Sequence, residues 1–379
     1  MKLVEDPAGL AAACQALESA PVLYLDTEFD ASRDGTRLCL VQISGGAEAY
    51  LVDTLKLSEL GPLSALLGHP DRTWVLHAGQ QDIQLLKLRL HAAPTRLFDT
   101  QVAWALSSIE HSASLSYLKY HLLGLRGEKS HQADDWLRRP LPPAQLAYAA
   151  EDVHHLPALF AALTQKLDRL SRTEACYAAS RESVTPVEDV FEPLTLEAFR
   201  NAWQLEPEGQ AVLRYLVTWF NELSPDQRSS APDFKGLFSL ASRRPRTLDD
   251  LSRLRTLPRR ASALFGRELV SGIARAIAGA HTTSFQLLDP PPYAVPADLL
   301  AAGWLEAIRA ELCIELTLAP ELVLPARILR RLREAAVRQG QLEGSLAELQ
   351  GWRADLLHAP LSAKMARYGS LKNLPSRLD

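Results

Sequence analysis

Long uncharged apolar runs are missing from this sequence. No stretch of about 18 such residues occurs, so no segment is expected to span a bilayer, and the 47% hydrophobic content is available for globular cores. Cysteine is sparse and scattered: Cys14, Cys39, Cys176 and Cys313 form no CxxC pair. That excludes a disulfide framework and the usual zinc motifs, and a cytoplasmic location fits. No leader is expected either. Leu10 to Cys14 reads LAAAC, but Glu5 and Asp6 stand where a signal peptide carries positive charge, and the apolar stretch is too short. A phosphate-binding loop is absent, because Gly127-Glu128-Lys129-Ser130 lacks the GxxxxGK[ST] spacing. No helicase activity and no nucleotide cofactor are expected.

Net charge is small at −4, yet its distribution is uneven. Residues 1–190 carry 17 Lys and Arg against 24 Asp and Glu, a net of −7, and the remainder carries 24 against 21, a net of +3. The basic excess is concentrated between Arg243 and Arg275, where nine arginines face three acids. Such a segment suits a nucleic-acid partner.

At 379 residues the chain is long enough for two or three domains. Val22 to Phe29, Arg37 to Ser44 and Ala49 to Asp53 read as strands of an antiparallel meander, separated by Arg33-Asp34-Gly35 and Gly45-Gly46. Thr73 to Ala78 reads as a buried strand, and Asp82 to Leu90 as a helix with Ile83, Leu86 and Leu90 on one face. The pattern is then mainly helical to about Leu170. Ser180 to Pro193 reads as a linker or an ordered crossover, and Leu288 to Pro292 as a second break. The helical runs between and after these breaks predict two small all-helical modules.

Asp26 and Glu28 are two apart on a predicted strand, so both carboxylates share one face. Two anions side by side are costly unless a cation sits between them. Asp82 opens a helix, where a carboxylate suits the exposed N–H groups. Tyr148 and Asp152 are four apart and share a helix face. Together the four carboxylates make a candidate site for two divalent cations, about 3.5–4 Å apart, of the kind that drives in-line phosphodiester hydrolysis. All-oxygen ligands favour Mg²⁺ or Mn²⁺. Tyr148 is placed to position the attacking water. His77 is expected to be structural, and Asp99 to cap the helix after Phe98.

DTEF at 26–29, HAGQQDIQLL at 77–86 and YAAED at 148–152 resemble the three motifs of the DEDD exonuclease superfamily. The tyrosine four residues before the last aspartate matches its DEDDy branch. The other branch has histidine five before, and Ala147 stands there. LCLVQIS at 38–44, FDTQVA at 98–103 and EKSHQADDWLRRPL at 128–141 extend the similarity to the ribonuclease D family. RRPRTLDDLSRLRTLP at 243–258 and LQGWRADLLHAPL at 349–361 resemble parts of the helical HRDC modules that follow the nuclease in that family.

The resemblance implies a ribonuclease H-like α/β exonuclease domain, a mixed sheet flanked by helices, at 1–180. HRDC-like modules would follow at 195–285 and, in degenerate form, at 295–379. It implies 3′–5′ hydrolysis from RNA 3′ ends, tRNA precursors among them, releasing nucleoside 5′-monophosphates. Asp26, Glu28, Asp82 and Asp152 would be metal ligands, and Tyr148 would complete the catalytic set. Thr27, Phe29, Lys129, Arg139, Arg243 and Arg244 are the candidate nucleic-acid contacts. A single-stranded DNA exonuclease on the same scaffold and a non-catalytic RNA-binding adaptor are the alternatives. After DTEF the family continues with a basic, threonine-containing segment, whereas DASRDGT follows here, so contacts to the terminal nucleotide are expected to differ.

Overall fold

The computed structural model describes residues 1–32, 35–126, 134–185, 193–282, 285–290, 296–368 and 371. The Arg33-Asp34 part of the first turn, Gly127 to Ser130, and residues 186–192 of the expected linker lie outside them. The chain forms two compact units, Met1–Pro186 with Pro296–Ser376, and Val187–Val295.

The first unit is built on a six-stranded mixed sheet in the order β1-β4-β3-β2-β5-β6. Its strands are β1 (Lys2–Val4), β2 (Val22–Ser32), β3 (Gly35–Ser44), β4 (Ala49–Asp53), β5 (Thr73–Leu76) and β6 (Arg96–Asp99). β2, β3 and β4 form the antiparallel meander, while β1 joins β4, β5 joins β2 and β6 joins β5 in parallel. The edge strands β1 and β6, of three and four residues, were not anticipated because neither is long enough to alternate visibly. In the β2–β3 pair Glu28 faces Leu40 and Phe29 faces Leu38, so Cys39 is an extra residue on β3. A bulge of this kind re-aims neighbouring side chains, and here it sits beside Glu28.

Side-chain alternation divides the sheet's residues between two helical layers. Leu23, Leu25, Val41, Ile43, Trp74 and Leu76 pack with α1 (Pro7–Leu17), α2 (Gly61–Leu67) and α3 (Gln80–Leu90). Tyr24, Val75 and Phe98 belong to the opposite core, with α4 (Thr100–Ala105), α5 (Leu115–Leu123), α6 (Pro143–His154), α7 (Leu156–Arg169) and α8 (Thr173–Val184). Fully buried leucines such as Leu23, Leu86 and Leu163 each stabilise this arrangement by about 2 kcal/mol.

The second unit is helical: α9 (Pro207–Glu222), α10 (Pro225–Ser230), α11 (Phe234–Arg243), α12 (Leu248–Ser252) and α13 (Arg259–Thr282). Local signals set its boundaries. Ser224 with Gln227 and Thr247 with Asp250 form reciprocal capping boxes, which satisfy the first N–H groups of α10 and α12. Trp219 meets Phe265 edge-on at 5.2 Å within a core that includes Leu213, Leu216, Leu240 and Leu269.

The remaining helices, α14 (Pro296–Leu316), α15 (Pro320–Val323), α16 (Ala326–Gln339) and α17 (Gly351–Met365), belong to the first unit. The sequence sets 295–379 apart as a degenerate HRDC-like module, whereas in the structure these helices cluster with the nuclease unit. Leu305, Ile308, Leu312 and Leu332 share one core with Leu159 and Leu163. The Ala319 N–H donates to Ala105 O at 2.8 Å. Arg172, only 6% exposed, donates to Leu106 O at 2.8 Å and to Leu316 O at 2.7 Å. Glu182 on α8 accepts from Arg353 at 2.5 Å, Trp352 at 2.8 Å and Arg327 at 2.9 Å. Helical periodicity identifies an apolar face without naming what covers it, and here the nuclease core covers it.

Arg172→Met keeps the side chain's apolar stem and removes these charged donors. It is expected to lower the unfolding free energy by about 2–3 kcal/mol, read as a lower urea midpoint at unchanged slope. An unmoved midpoint would show that the guanidinium does not hold this junction.

Candidate active site

The apolar run Val22–Leu25 carries β2 through the core and delivers Asp26 and Glu28 at its far end. Across from them lies α6, which starts with Pro143 in its first turn, a position that tolerates the missing N–H. Ala149 and Val153, both fully buried, seat this helix on the sheet side, and the half-buried Tyr148 and Asp152 follow from that seating. One carboxylate oxygen each from Asp26, Glu28 and Asp152 lie within 4.8 Å of one another. The Tyr148 hydroxyl donates to the Asp152 carboxylate.

Asp82 enters from α3 and stands next to this group rather than within it. Its Oδ1 accepts from the Thr27 hydroxyl, which links α3 to the strand residue between the two acids. The start of α3 is itself held by Asp99. That buried carboxylate accepts from Ala78 N at 2.9 Å, Gly79 N at 3.0 Å and Gln101 N at 2.8 Å. Asp99 thus caps α4, as expected, and also fixes the turn that ends β5. Ala78 adopts a left-handed conformation there, with φ 52°, so the strand stops at Leu76. Gly79 has no room for a side chain, since a Cβ would lie 2.2 Å from Leu76 Cδ1.

The electrostatics of the acids follow from crowding out of water. Burial and then the charges of Asp82, Asp152 and Glu28 push Asp26 well above the usual carboxylate range, opposed by the Thr27 N–H. Glu28, 8% exposed, is raised to about 8 by burial, by Asp152 and Asp82, and by Asp134. Burial raises Asp82 to about 6 against the Thr27 hydroxyl bond. Asp152 also rises to about 6, chiefly through burial, with the Tyr148 bond and the Lys119 charge opposing. Protons held this tightly mark a place where positive charge is wanted. All-oxygen donors at this spacing fit a hard divalent cation.

Comparison with known proteins is consistent with the geometry. A family profile described as 3′–5′ exonuclease matches residues 1–168. The ribonuclease D of Pseudomonas paraeruginosa is 32% identical over 361 residues, covering 93% of this chain and 94% of that protein. That of Acidiphilium cryptum is 32% identical over 372 residues, covering 93% and 90%. The chain belongs to the ribonuclease D family. The crystal structure of Escherichia coli ribonuclease D, described as an exoribonuclease involved in structured RNA processing, superposes with a TM-score of 0.72 at 25% identity, covering 97% of this chain and 98% of that one.

Membership of the ribonuclease D family gives the motif residues their context, but several candidate nucleic-acid contacts are otherwise engaged. Arg139 forms a fork onto fully buried Asp53, Nε to Oδ2 at 2.5 Å and Nη2 to Oδ1 at 2.8 Å, and donates further to Trp136 O and Cys39 O. Its donors serve the fold, which corrects the expectation of a phosphate contact. Thr27 is 5% exposed with its hydroxyl on Asp82, and Phe29 packs against the sheet core. Arg244 is half-buried and paired with Glu206 at 3.0 Å and Glu208 at 3.7 Å. Arg243 is exposed, and Lys129 lies outside the described residues. His77 has its Nδ1 2.9 Å from Thr100 Oγ1, beneath the turn, and is structural as expected. Asp134 and Lys119, which the sequence reading did not single out, both act electrostatically on the acids.

The raised carboxyls make metal-free stability depend on pH in a defined direction. A carboxyl that binds its proton more tightly folded than unfolded adds stability below its ordinary value, and loses it as pH rises through the folded one. For Asp82 and Asp152 the loss runs from the ordinary range to about 6, and for Glu28 to about 8. In chelator, the thermal midpoint is therefore expected to fall from mildly acidic to mildly alkaline pH. Asp26→Asn should shrink that fall, raising the alkaline midpoint by about 2–4 °C per kcal/mol of repulsion removed. A variant with the wild-type pH dependence would contradict this electrostatic account.

A second expectation concerns Asp99. Asp99→Ala strips three N–H groups of their acceptor and should cost about 3 kcal/mol or more of stability, while lowering activity of the folded fraction by displacing Asp82. Active-site titration separates the two effects, and full specific activity would show that the turn holds without it.

Proposed function

We propose that this protein is a 3′–5′ exoribonuclease that trims the 3′ ends of structured RNA, tRNA precursors among them, and releases nucleoside 5′-monophosphates. The observation that carries the proposal is the convergence of Asp26, Glu28 and Asp152 within 4.8 Å, with the Tyr148 hydroxyl on Asp152. Two Mg²⁺ or Mn²⁺ ions held by these residues and Asp82 would activate a water and stabilise the attacking and leaving oxygens of the scissile phosphate. RNA as substrate is supported by the ribonuclease D relatives. Exposed Arg243 in the helical second unit, which we take as HRDC-like, would add a phosphate contact. Four cysteines without disulfides suit a cytoplasmic location.

The chain's own contribution is positioning. Asp26 and Glu28 are fixed by strand geometry, Asp152 by a packed helix, and Asp82 by the Thr27 hydroxyl. Tyr148 commits its proton to Asp152, which turns the phenolic oxygen into an acceptor that can orient the attacking water.

With 3′-end-labelled RNA, the wild type should release labelled mononucleotide at once, in the presence of Mg²⁺ or Mn²⁺ and not in chelator. Asp26→Ala and Asp152→Asn should each abolish release, a loss of about 10³-fold or more, while RNA binding persists. Tyr148→Phe should lower the rate by about 10²-fold. Trimming that survives either carboxylate change would refute the site. Preference for a DNA of the same sequence would replace RNA as substrate, and binding without hydrolysis under every metal condition would make the protein an adaptor.

A further inference from the structure

Next to the acidic group lies an ammonium for which the hydrolysis described above has no use. Lys119 on α5 is 6% exposed, and its Nζ donates to Glu151 Oε1 at 2.6 Å. Glu151 directly precedes Asp152 on α6, and its Oε1 also lies 3.6 Å from His155 Nε2. A lysine this buried is costly unless its charge is matched, and Glu151 matches it. Glu151 is the immediate chain neighbour of Asp152 on α6 and holds the Lys119 ammonium at 2.6 Å, so both charges stand beside the acidic group. They have opposite signs and are in contact, so their effects at the acidic group largely offset.

We propose that Lys119 and Glu151 are an electrostatic counterweight that sets how tightly the Asp26–Glu28–Asp152 group holds a divalent cation, Lys119 acting as a positioning residue through Glu151. The proposal rests on the reading of that group as a cation site. Its logic is charge balance at short range, where a single uncompensated unit charge in a partly dehydrated site changes divalent-ion affinity by about tenfold or more. Taking away Glu151 leaves an ammonium that repels the cation. Taking away Lys119 leaves a carboxylate that attracts it. A pair serving only to fasten α5 to α6 would behave differently, since loss of either partner would loosen the same junction and weaken the site in the same direction.

The test is calorimetric titration of the substrate-free full-length protein with Mn²⁺ at pH 8. Burial holds His155 below its ordinary value, so it is neutral there. Glu151→Gln should weaken Mn²⁺ binding about tenfold, Lys119→Met should tighten it several-fold, and the double variant should return to within about twofold of wild type. Lys119→Arg, which keeps the charge, should bind as the wild type does. Circular dichroism establishes folding of each variant. If Lys119→Met fails to fold, the nearly isosteric Glu151→Gln decides, and unchanged affinity there overturns the proposal. Weakening in both single variants also overturns it and leaves a structural tie. Mn²⁺ binding that survives Asp152→Asn removes the cation-site reading itself, and the counterweight with it.

Discussion

Mutual repulsion among buried carboxylates is the constraint around which the first unit is organised. Asp26, Glu28 and Asp152 are brought close enough for their oxygens to touch a common ion, with Asp82 one hydrogen bond away through Thr27. Nothing in the acids favours this arrangement, so the backbone must impose it. A strand sets the first two by its two-residue period, a packed helix sets the third, and a turn in which Gly79 lies close against the Leu76 side chain sets the fourth. The stability lost to repulsion is offset by the two apolar cores that sandwich the sheet.

The treatment of other buried charges makes the acidic group stand out. Asp53 receives a bidentate guanidinium, Asp99 receives three N–H groups, Glu182 receives two guanidiniums and an indole N–H. Arg72, 5% exposed, is satisfied by the carbonyls of Glu18, Ala20 and Leu66. Where the fold needs a buried charge only for architecture, it supplies the partner from within. At Asp26 and Glu28 the principal influences are burial and other anions. A protein that pairs Asp53, Asp99, Glu182 and Arg72 from within and leaves these acids crowded is arranged for positive charge from outside the chain.

Much of this was legible in the sequence because the chemistry is local there. The meander, the Asp26–Glu28 pair, the Tyr148–Asp152 spacing and the cap at Asp99 each depend on residues a few positions apart. What could not be read depends on distant partners. Arg139 stands in a motif-like stretch among basic residues, and only the fold reveals that Asp53, 86 residues earlier, occupies it. Thr27 alternates away from the acids in the strand pattern, yet its hydroxyl reaches Asp82, 55 residues on. The edge strands were invisible for a different reason: three or four residues are too few to show a period.

The helices after Pro296 carry the same lesson to the scale of a domain. Their sequence reads as a separate module, since apolar periodicity is satisfied equally by self-association and by packing on something else. The deciding groups are the buried guanidiniums of Arg172, which donates across the junction to Leu316 O, and of Arg353, which donates to Leu322 O and Val323 O within the added helices and reaches across to Glu182 on α8. Such contacts are costly to break because each separated partner would be left buried without a match. Glu182 and Arg172 flank or lie on α8, whose Ser180 hydroxyl also receives the Asp99 N–H. The chain of fixed polar contacts therefore runs from the added helices through α8 to Asp99, and from Asp99 to the turn that presents Asp82. By this route the last segment of the chain supports the geometry of the acids while contributing none of them.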